Sequence, residues 1–552
     1  MCNNRTLSVF IALSLLLLIA LPAQAQDMQF GLEETGTGPA GPPAEGPPSE
    51  TLANGLRLYT QESYQEAAVQ FQRVVEGQTR DAPANVQKAQ FFLGKSLYHL
   101  QFYQSALAVF DEVSDKGRRH LYFDQTLQWL AQLASQLPEP AGIIDKVGRF
   151  GVEQLGQFNT ADNEALYNQM LYLMGRSMYN QGEFDQAVGL FKQIDAKSKY
   201  YIHARFFEGI SYIRLRKAQP ASRAFREILE AIERGDLEGI EDEERMRDLA
   251  WISLARVYYT AANRTNNETG ERQVDGVLLG NAVEAWTQID TESEYWLDSL
   301  FEASWAFFLA DEFSRALGNI HTLNSPYFIG AFYPEAMVLK SVVFFSNCQM
   351  ENASAVVAQF HEKYDPVRTK LGEILAQYQD NQAFFEFLQK VREGSAELTP
   401  EIRPIIESAL SDRQVIGNVE YVALLEQEEK KLQQGAVQFR DSSLGGRILQ
   451  DILVAKSFAI DQTGDLAKGR YNRLIAEMQD LANQVDTVEI EILNYIRGQL
   501  SAELQDQQTI AGQSTGGRVE VDSEHVVWPF DGEYWRDELG FYRQEVTYKC
   551  GR

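Results

Sequence analysis

A spacing that recurs along the 552-residue chain constrains its fold more than any other feature of the sequence. A small residue is followed twelve positions later by an alanine, and an aromatic residue comes four positions after that alanine. The spacing occurs in four sets: Gly55, Ala67 and Phe71; Gly94, Ala106 and Phe110; Gly175, Ala187 and Phe191; and Gly209, Ala221 and Phe225. Small residues let two helices approach closely, and one such pair cannot bury its apolar face alone. The sequence therefore predicts a stack of helix pairs.

The period of this pattern is 34 residues in two places: Ala187 to Ala221 and Ala282 to Ala316. A later first helix carries four signature residues in the same frame: Trp251, Leu254, Ala255 and Tyr258. A looser unit runs to residue 362, and a degenerate pair is predicted between residues 124 and 150. The pattern resembles the tetratricopeptide-repeat (TPR) family over residues 51–362. This resemblance implies an all-α fold, a TPR-like α-solenoid that binds protein partners, and the drift in spacing predicts an irregular superhelix.

The sequence beyond residue 365 predicts long helices rather than further repeats. Apolar residues step alternately by four and three positions, as in a coiled-coil seam: Leu474, Met478, Leu481, Val485, Val488, Ile492 and Tyr495. A shorter seam precedes the pair Gly445-Gly446 and contains Val415, Val422, Leu425 and Leu432. Together the seams predict an antiparallel helical hairpin. Either this hairpin stacks on the last repeat, or it pairs with a second chain and mediates self-association.

The first residues have the pattern of a secretory signal. Arg5 precedes an apolar run that is too short to span a bilayer, and Ala23-Gln24-Ala25 matches a cleavage site. We therefore expect an exported, periplasmic protein that is not an integral membrane protein. The predicted organisation is a signal peptide over 1–25, a Pro/Gly-rich linker over 26–50, the repeat array over 51–362, a long-helix domain over 365–504, a polar linker over 505–520 and an aromatic tail over 521–552.

The composition disfavours several classes of function. With 50 basic and 78 acidic residues, the net charge of −28 argues against nucleic acid as a partner. The six histidines are scattered singly, with neither a metal-binding motif nor a catalytic constellation around them. Gly94-Lys95-Ser96 resembles the end of a phosphate-binding loop, but Ala89 replaces the glycine that such a loop needs and the segment lies in a repeat helix. We therefore expect no enzymatic activity, no metal and no cofactor.

The inner helices of a repeat array line a concave groove, and their inward positions follow from the repeat frame. Those positions carry aromatic and arginine residues: Tyr172, Arg176, Tyr179, Phe206, Arg214, Arg256, Tyr259, Phe301, Trp305 and Phe308. Tyr, Trp and Arg are the residue types that dominate interface energetics. An open groove of this kind suits an extended peptide or a helix with acidic residues. Alternatively, a tight superhelix closes the groove and these side chains belong to the core.

The C-terminal tail is dense in aromatic residues, which need a docking site on this chain or on a partner. The candidates for docking are Trp528, Phe530, Tyr534 and Trp535. Two cysteines remain after signal cleavage, and an oxidising compartment permits a disulfide between Cys348 and Cys550. The alternative is a pair of free thiols. In the first case the tail is held near the turn of the last repeat.

Three features of the sequence point to a narrower resemblance. They are the exported repeats, the Tyr333-Pro334-Glu335-Ala336 helix that leads to Cys348, and the Trp528-Pro529-Phe530 tail. In combination they resemble periplasmic repeat proteins of myxobacteria and relatives, including a component of a gliding-motility envelope complex. The resemblance implies a non-enzymatic scaffold that binds other envelope proteins in an outer-membrane, motility or secretion assembly. The alternative is a chaperone-like or cell-wall-associated binding module.

Overall fold

A computed structural model describes most of the chain. The described residues are 46–235, 239–240, 242–265, 272–328, 331–399, 402–410, 412–505 and 526–550. The predicted signal peptide, residues 26–45 of the predicted first linker and residues 506–520 of the predicted polar linker lie outside them. Among the described residues, no helix has an apolar stretch long enough to cross a bilayer.

The first part of the fold consists of helix pairs joined by short turns. The helices are α1 Glu50–Thr60, α2 Tyr64–Val75, α3 Pro83–His99, α4 Tyr103–Asp115, α5 Phe123–Leu133, α6 Ile143–Val147, α7 Val152–Leu155, α8 Glu164–Asn180, α9 Phe184–Phe191, α10 Tyr201–Arg214, α11 Ala218–Arg234, α12 Glu243–Ala262, α13 Gly276–Thr287, α14 Trp296–Leu309, α15 Phe313–Leu323, α16 Pro334–Ser346 and α17 Met350–Gln377. The seven predicted repeats are all helix pairs, and the degenerate third unit is the pair α5 and α6. The all-α, TPR-like solenoid is confirmed.

The predicted extra loop between the helices of one repeat contains a short β-ribbon. Its strands are β1 Asn263–Thr265 and β2 Arg272–Val274, which pair in antiparallel register with Asn263 opposite Val274. Asp275 then caps α13, because its side chain accepts hydrogen bonds from the amides of Val277 and Leu278. The insertion therefore ends at a well-defined helix start.

The recurring glycine and phenylalanine form the contact that builds each repeat. A Cβ atom added to Gly94 would lie 2.8 Å from the ring of Phe110. The same ring stacks on Trp129 of the following unit at 5.9 Å between centroids. The aromatic residue therefore fills the space between its own glycine and the next helix pair, as the spacing predicts. All four phenylalanines of this set are fully buried: Phe71, Phe110, Phe191 and Phe225.

The turns inside the repeats share one backbone conformation. Five residues before the buried alanine of each of six repeats, the backbone φ angle is positive: Glu62, Gln101, Gly182, Arg216, Asp311 and Cys348. Only one of the six is glycine, although the left-handed region disfavours other residues. A hydrogen-bonded turn of one length therefore sets the angle between the two helices of a pair, whatever residue occupies this position.

Five further helices follow the array: α18 Asn381–Arg392, α19 Arg403–Leu410, α20 Arg413–Gln434, α21 Val437–Arg440 and α22 Ser443–Gln505. Helices α20 and α22 form the predicted antiparallel hairpin, in which Lys456 Nζ lies 2.9 Å from Glu426. Gly445-Gly446 lies in the first turn of α22, and the chain reverses just before it. At 63 residues, α22 is about 95 Å long, given the rise of an α-helix.

Helix α22 contacts both ends of the repeat array. Near its beginning, Arg447 forms an ion pair with Glu112 on α4 at 2.6 Å. Near its end, Asp486 accepts a hydrogen bond from His361 on α17 at 2.9 Å. The later part of the predicted seam, from Leu481 to Tyr495, shares a buried core with the last repeat, whereas α20 packs on the first repeats. The hairpin thus stacks within the chain: both of its arms contact the first repeats, and α22 continues to the last repeat.

Candidate partner-binding groove

The first section of the predicted groove is half-exposed but internally paired. Arg176 donates a hydrogen bond to Tyr172 Oη at 3.2 Å, and its guanidinium lies 4.1 Å from the ring centroid of Phe207. It also forms an ion pair with Glu139, from the short 3-10 helix Glu139–Ala141. Because these contacts occupy the guanidinium, Arg176 is held in place by its own chain and offers little charge to a ligand.

The middle of the predicted groove combines stacked rings with one arginine. Tyr179 lies edge-on to Phe184 at 5.5 Å, and the guanidinium of Arg214 lies 5.3 Å from the same ring. Phe206 is half-buried and contacts the ring of Phe225 at 5.9 Å. These side chains join neighbouring repeats while keeping one edge in solvent.

The last section of the predicted groove is core. Tyr259, Phe301, Trp305 and Phe308 are all less than a tenth exposed. Arg256 is paired twice with the buried carboxylate of Glu302, at 2.9 and 3.0 Å from its Nε, and Trp286 Nε1 donates to the same carboxylate at 3.1 Å. Burial raises the pKa of Glu302, while Arg256 lowers it. In this structure these residues bind the helices of successive repeats together.

A second aromatic groove, which the sequence analysis did not single out, lies on the first three repeats. We call it the Lys95 cluster, and it consists of Tyr59, Tyr64, Phe92, Lys95, Tyr98, His99 and Trp129. The Nζ atom of Lys95 lies 4.7 to 5.2 Å from the ring centroids of Phe92, Tyr59 and Trp129. Most of its rings come from the first helices of three consecutive repeats, α1, α3 and α5, and Tyr64 comes from the first residue of α2.

The charge at the centre of this cluster is surrounded by aromatic rings. In the part of the chain that the structure describes, no carboxylate lies within ion-pair distance of Lys95 Nζ. Burial by the surrounding rings lowers the pKa of Lys95. The neighbouring Tyr59 Oη contacts His99 Nε2 at 3.3 Å, and burial lowers the pKa of His99 as well. The cluster therefore presents an amino group and polar ring edges in a half-exposed aromatic surface.

The repeat frame already contains the signal that identifies this cluster. The inward positions lie three residues before the small residue and one, four and five after it. Applied to Gly94, that rule gives Phe91, Lys95, Tyr98 and His99; applied to Gly55, it includes Tyr59. The groove predicted from the sequence began only at residue 172, although the same frame at Gly94 gives residues of this cluster.

The C-terminal tail docks on the seventh repeat around one histidine. The ring of His321 on α15 stacks on Tyr534 at 4.5 Å between centroids and meets Phe530, Tyr542 and Trp528 edge-on at 4.6, 5.0 and 5.8 Å. Burial lowers the pKa of His321 to about 4. The fourth predicted docking residue, Trp535, contacts the ring of Trp528 at 4.6 Å and is 43% exposed.

Backbone contacts and a disulfide hold the rest of the tail. The amide of Gly540 donates to Thr322 Oγ1 at 3.0 Å, and the carbonyl of Tyr542 passes so close to Gly318 that a Cβ there has no room. At the far end, Cys550 is bonded to Cys348 in the turn of the last repeat. The sequence left open whether the tail docks on this chain or on a partner, and in this structure it docks on this chain.

The remaining titratable groups include histidines and carboxylates outside the groove. Over the described ranges, no group of three or more His, Cys, Asp and Glu residues has an arrangement that can hold a metal ion. His361 bridges Asp365 and Asp486 at 3.1 and 2.9 Å, which ties α17 to α22. The arrangement as a whole offers surfaces for binding.

Fold and groove together define a TPR-like helical repeat protein. No protein-family description matches the sequence, and no curated protein matches it either. Among solved structures, the chain is similar to the apo form of the quorum sensor NprR from B. thuringiensis, with 11% identity, 78% of this chain and 97% of the other covered, and a TM-score of 0.28. A Rap protein complexed with Competence and Sporulation Factor is 12% identical, with 79% and 98% covered and a TM-score of 0.24. Such low TM-scores say nothing about what the chain binds.

Proposed function

We propose that this protein is a non-enzymatic scaffold of the periplasm, which holds partner proteins of an envelope assembly through its repeat groove. The observation that carries the proposal is the Lys95 cluster. A half-buried surface rich in Tyr and Trp rings has the aromatic composition of an interface hot spot, and the amino group of Lys95 adds a positive charge at its centre. Since Lys95 has no acidic partner within the described part of the chain, the complementary ligand is a protein segment that brings a carboxylate.

The cellular setting rests on the sequence. The signal peptide predicts export, and the resemblance to periplasmic repeat proteins of myxobacteria suggests an outer-membrane, motility or secretion assembly. A disulfide between Cys348 and Cys550 suits an oxidising compartment. The compartment is tested by cell fractionation together with mass spectrometry of the mature N-terminus, which we expect near Gln26. An unprocessed chain in the cytoplasmic fraction would contradict it.

The partner is tested by a crosslinked pull-down from intact envelopes with matched variants. Lys95→Met keeps an unbranched apolar side chain among the rings but removes the charge. Lys88→Met makes the same change on the same helix, seven positions earlier. We expect the wild type and Lys88→Met to capture one small set of envelope proteins, and Lys95→Met to capture much less of it. Equal capture by all three proteins would refute the groove as the binding site.

The same experiment separates the scaffold from its alternative. Rings of Tyr59 and Trp129 are half-exposed and can also stack on sugars or grip extended strands. Peptidoglycan fragments, or many different β-barrel proteins in the captured material, would favour a cell-wall-associated or chaperone-like module. A fixed set of subunits in constant ratio would favour the scaffold.

A further inference from the structure

The segment from Leu539 to Cys550 begins with a turn at residues 539–541, continues without a helix through residues 542–549 and is fixed at both ends. Its first residues are held by the Gly540–Thr322 hydrogen bond, and its last by the disulfide to Cys348. Two further contacts hold the C-terminal end: the amide of Lys549 donates to the carbonyl of Asn347 at 2.9 Å, and Gln349 donates to the carbonyl of Thr547 at 2.8 Å. Exposed and half-buried residues alternate over 541–546, as they do along a strand, and no strand within the described residues pairs with this segment.

One edge of this strand faces away from α15. The amide of Gln544 donates to the carbonyl of Ser314 on α15 at 3.1 Å. In an extended chain, the amide and carbonyl of neighbouring residues point to opposite sides. The amides of Arg543 and Glu545 therefore point away from α15, and across the described residues neither has an acceptor. Both residues are exposed, as is Phe541 between the docked positions.

A cleft with both apolar and polar lining residues lies directly beside this strand. It has a volume of about 390 Å³ and is walled on one side by residues 539–543 of the tail. Trp286, Trp296, Leu300 and Phe307 line it from α13 and α14. Clefts of about 300 Å³ and above are large enough to accept a ligand group. Arg543 and Phe541 belong both to this wall and to the exposed side of the strand.

We infer that the tail strand and this cleft form a second binding site, which takes an extended polypeptide segment of a partner. The segment adds to the strand at Arg543 and Glu545 through main-chain hydrogen bonds and places an apolar side chain in the cleft. Strand addition of this kind derives affinity from backbone pairing and specificity from pockets for alternate side chains. A polypeptide is the occupant because it alone repeats amide and carbonyl groups at the spacing of the free edge.

This site is separate from the Lys95 cluster, so it can be tested independently of the proposed scaffold function. The probe is a library of short random peptides displayed on phage, selected on the purified, oxidised mature protein. We expect an enriched class of peptides with an apolar residue for the cleft and no central proline. Binding of that class should be unchanged in Lys95→Met. Failure to enrich any class would overturn the inference.

Two substitutions at one position separate backbone pairing from side-chain contact. Arg543→Pro removes the outward amide, whereas Arg543→Ala keeps it and removes only the side chain. The selected peptides should bind Arg543→Pro at least about tenfold more weakly and Arg543→Ala within about twofold of the wild type. Equal loss in both variants, or equal retention, would each refute strand addition.

A second measurement uses the wild-type protein, so that its result does not depend on whether the Arg543→Pro substitution releases the tail from the array. The selected peptide is resynthesised with an N-methyl group on one backbone amide at a time and bound to the wild-type protein. Alternate positions should lose affinity, because only every second amide of an added strand faces the tail. A peptide that tolerates N-methylation everywhere would contradict the inference, whatever the variants show.

Discussion

At the scale of single residues, the repeats obey a size rule over sixteen positions. Where the small residue is glycine, its partner sixteen residues later is phenylalanine, as in Gly209 and Phe225. Where the partner is smaller, the small residue is larger: Ser304 precedes Ile320, and Ser341 precedes Val357, all of them buried. Protein interiors are close-packed, so the combined volume of such a pair is constrained more tightly than either residue.

This rule predicts opposite effects for two glycines of the same repeat. A Cβ on Gly175 would meet the ring of Phe191 at 2.5 Å, whereas a Cβ on Gly189 meets nothing within 4 Å. Gly175→Ala should lose about 1–3 kcal/mol of unfolding free energy through overpacking. Gly189→Ala should be neutral or gain up to about 1 kcal/mol, because glycine is unfavourable in a helix interior. Urea unfolding followed by circular dichroism compares them, and equal effects would contradict the packing account.

The sequence predicts these packing residues better than it predicts the binding residues. Glycine–phenylalanine pairs are recognisable in the sequence because their close contact leaves no room for a larger residue in place of the glycine. The inward positions tolerate many residues, and identical types serve different ends: Trp305 is core, whereas Trp129 is half-exposed. Only the packing of neighbouring repeats decides between them, so the list from residue 172 to 308 mixes groove and core.

At the scale of elements, the contact between the last repeat and α22 buries acidic groups. Glu335, in the first turn of α16, is half-buried, and burial together with the carboxyl of Glu477 on α22 raises its pKa to about 8. Burial also raises the pKa of Glu477. The interface therefore favours a protonated carboxyl at neutral pH.

Stability should consequently fall with rising pH, through Glu335. In the unfolded chain this carboxyl titrates near 4.5, so the folded state retains its proton between about 4.5 and 8. The stabilisation by the protonated Glu335 carboxyl is complete below about pH 4.5. It declines between about pH 4.5 and 8 and is lost above about pH 8. Relative to Glu335→Gln, the wild type should lose unfolding free energy between about pH 5 and about pH 9. Parallel pH profiles of the two proteins would be the contrary result; Glu351→Gln, in the exposed first turn of α17, is the matched control.

The long helices show that a heptad seam predicts a helix but does not predict the surface on which that helix packs. Heptad spacing from Leu474 to Tyr495 predicts a helix with one apolar face, and α22 has it. The spacing does not identify the partner, because leucine and valine seams accept any apolar helix surface. The seam packs on the last repeat, while the early part of α22 reaches α4 through Arg447 and Glu112. No periodic pattern in the sequence predicts this ion pair between distant segments.

At the scale of the whole molecule, α22 and the C-terminal tail connect distant repeats of the array. Helix α22 connects the first repeats to the last, and the tail then returns to the seventh and eighth repeats through His321 and Cys348. Solenoids contact only neighbouring repeats and unfold unit by unit. Contacts between distant repeats should make this array unfold more cooperatively than its repeats alone.

The disulfide is the covalent part of that closure, and removing it should destabilise the whole. It joins residues 202 positions apart, and a loop of that size is worth up to about 5 kcal/mol in the chain-entropy model. Cys348→Ser and Cys550→Ser should each lower the unfolding free energy by about 2–5 kcal/mol. Both should also speed limited proteolysis within residues 526–550. Two reactive thiols in the denatured, unreduced wild-type protein would show instead that the bridge is absent.

The central claim is that the Lys95 cluster binds a partner protein, and site-specific photo-crosslinking in living cells tests it most directly. A photoreactive phenylalanine analogue replaces Tyr59 inside the cluster or, as the control, Val152, which is 54% exposed on α7. The account predicts a few discrete protein adducts from position 59, lost when Lys95→Met is combined with it, and none from position 152. No protein adduct at position 59, or the same adducts from both positions, would contradict it.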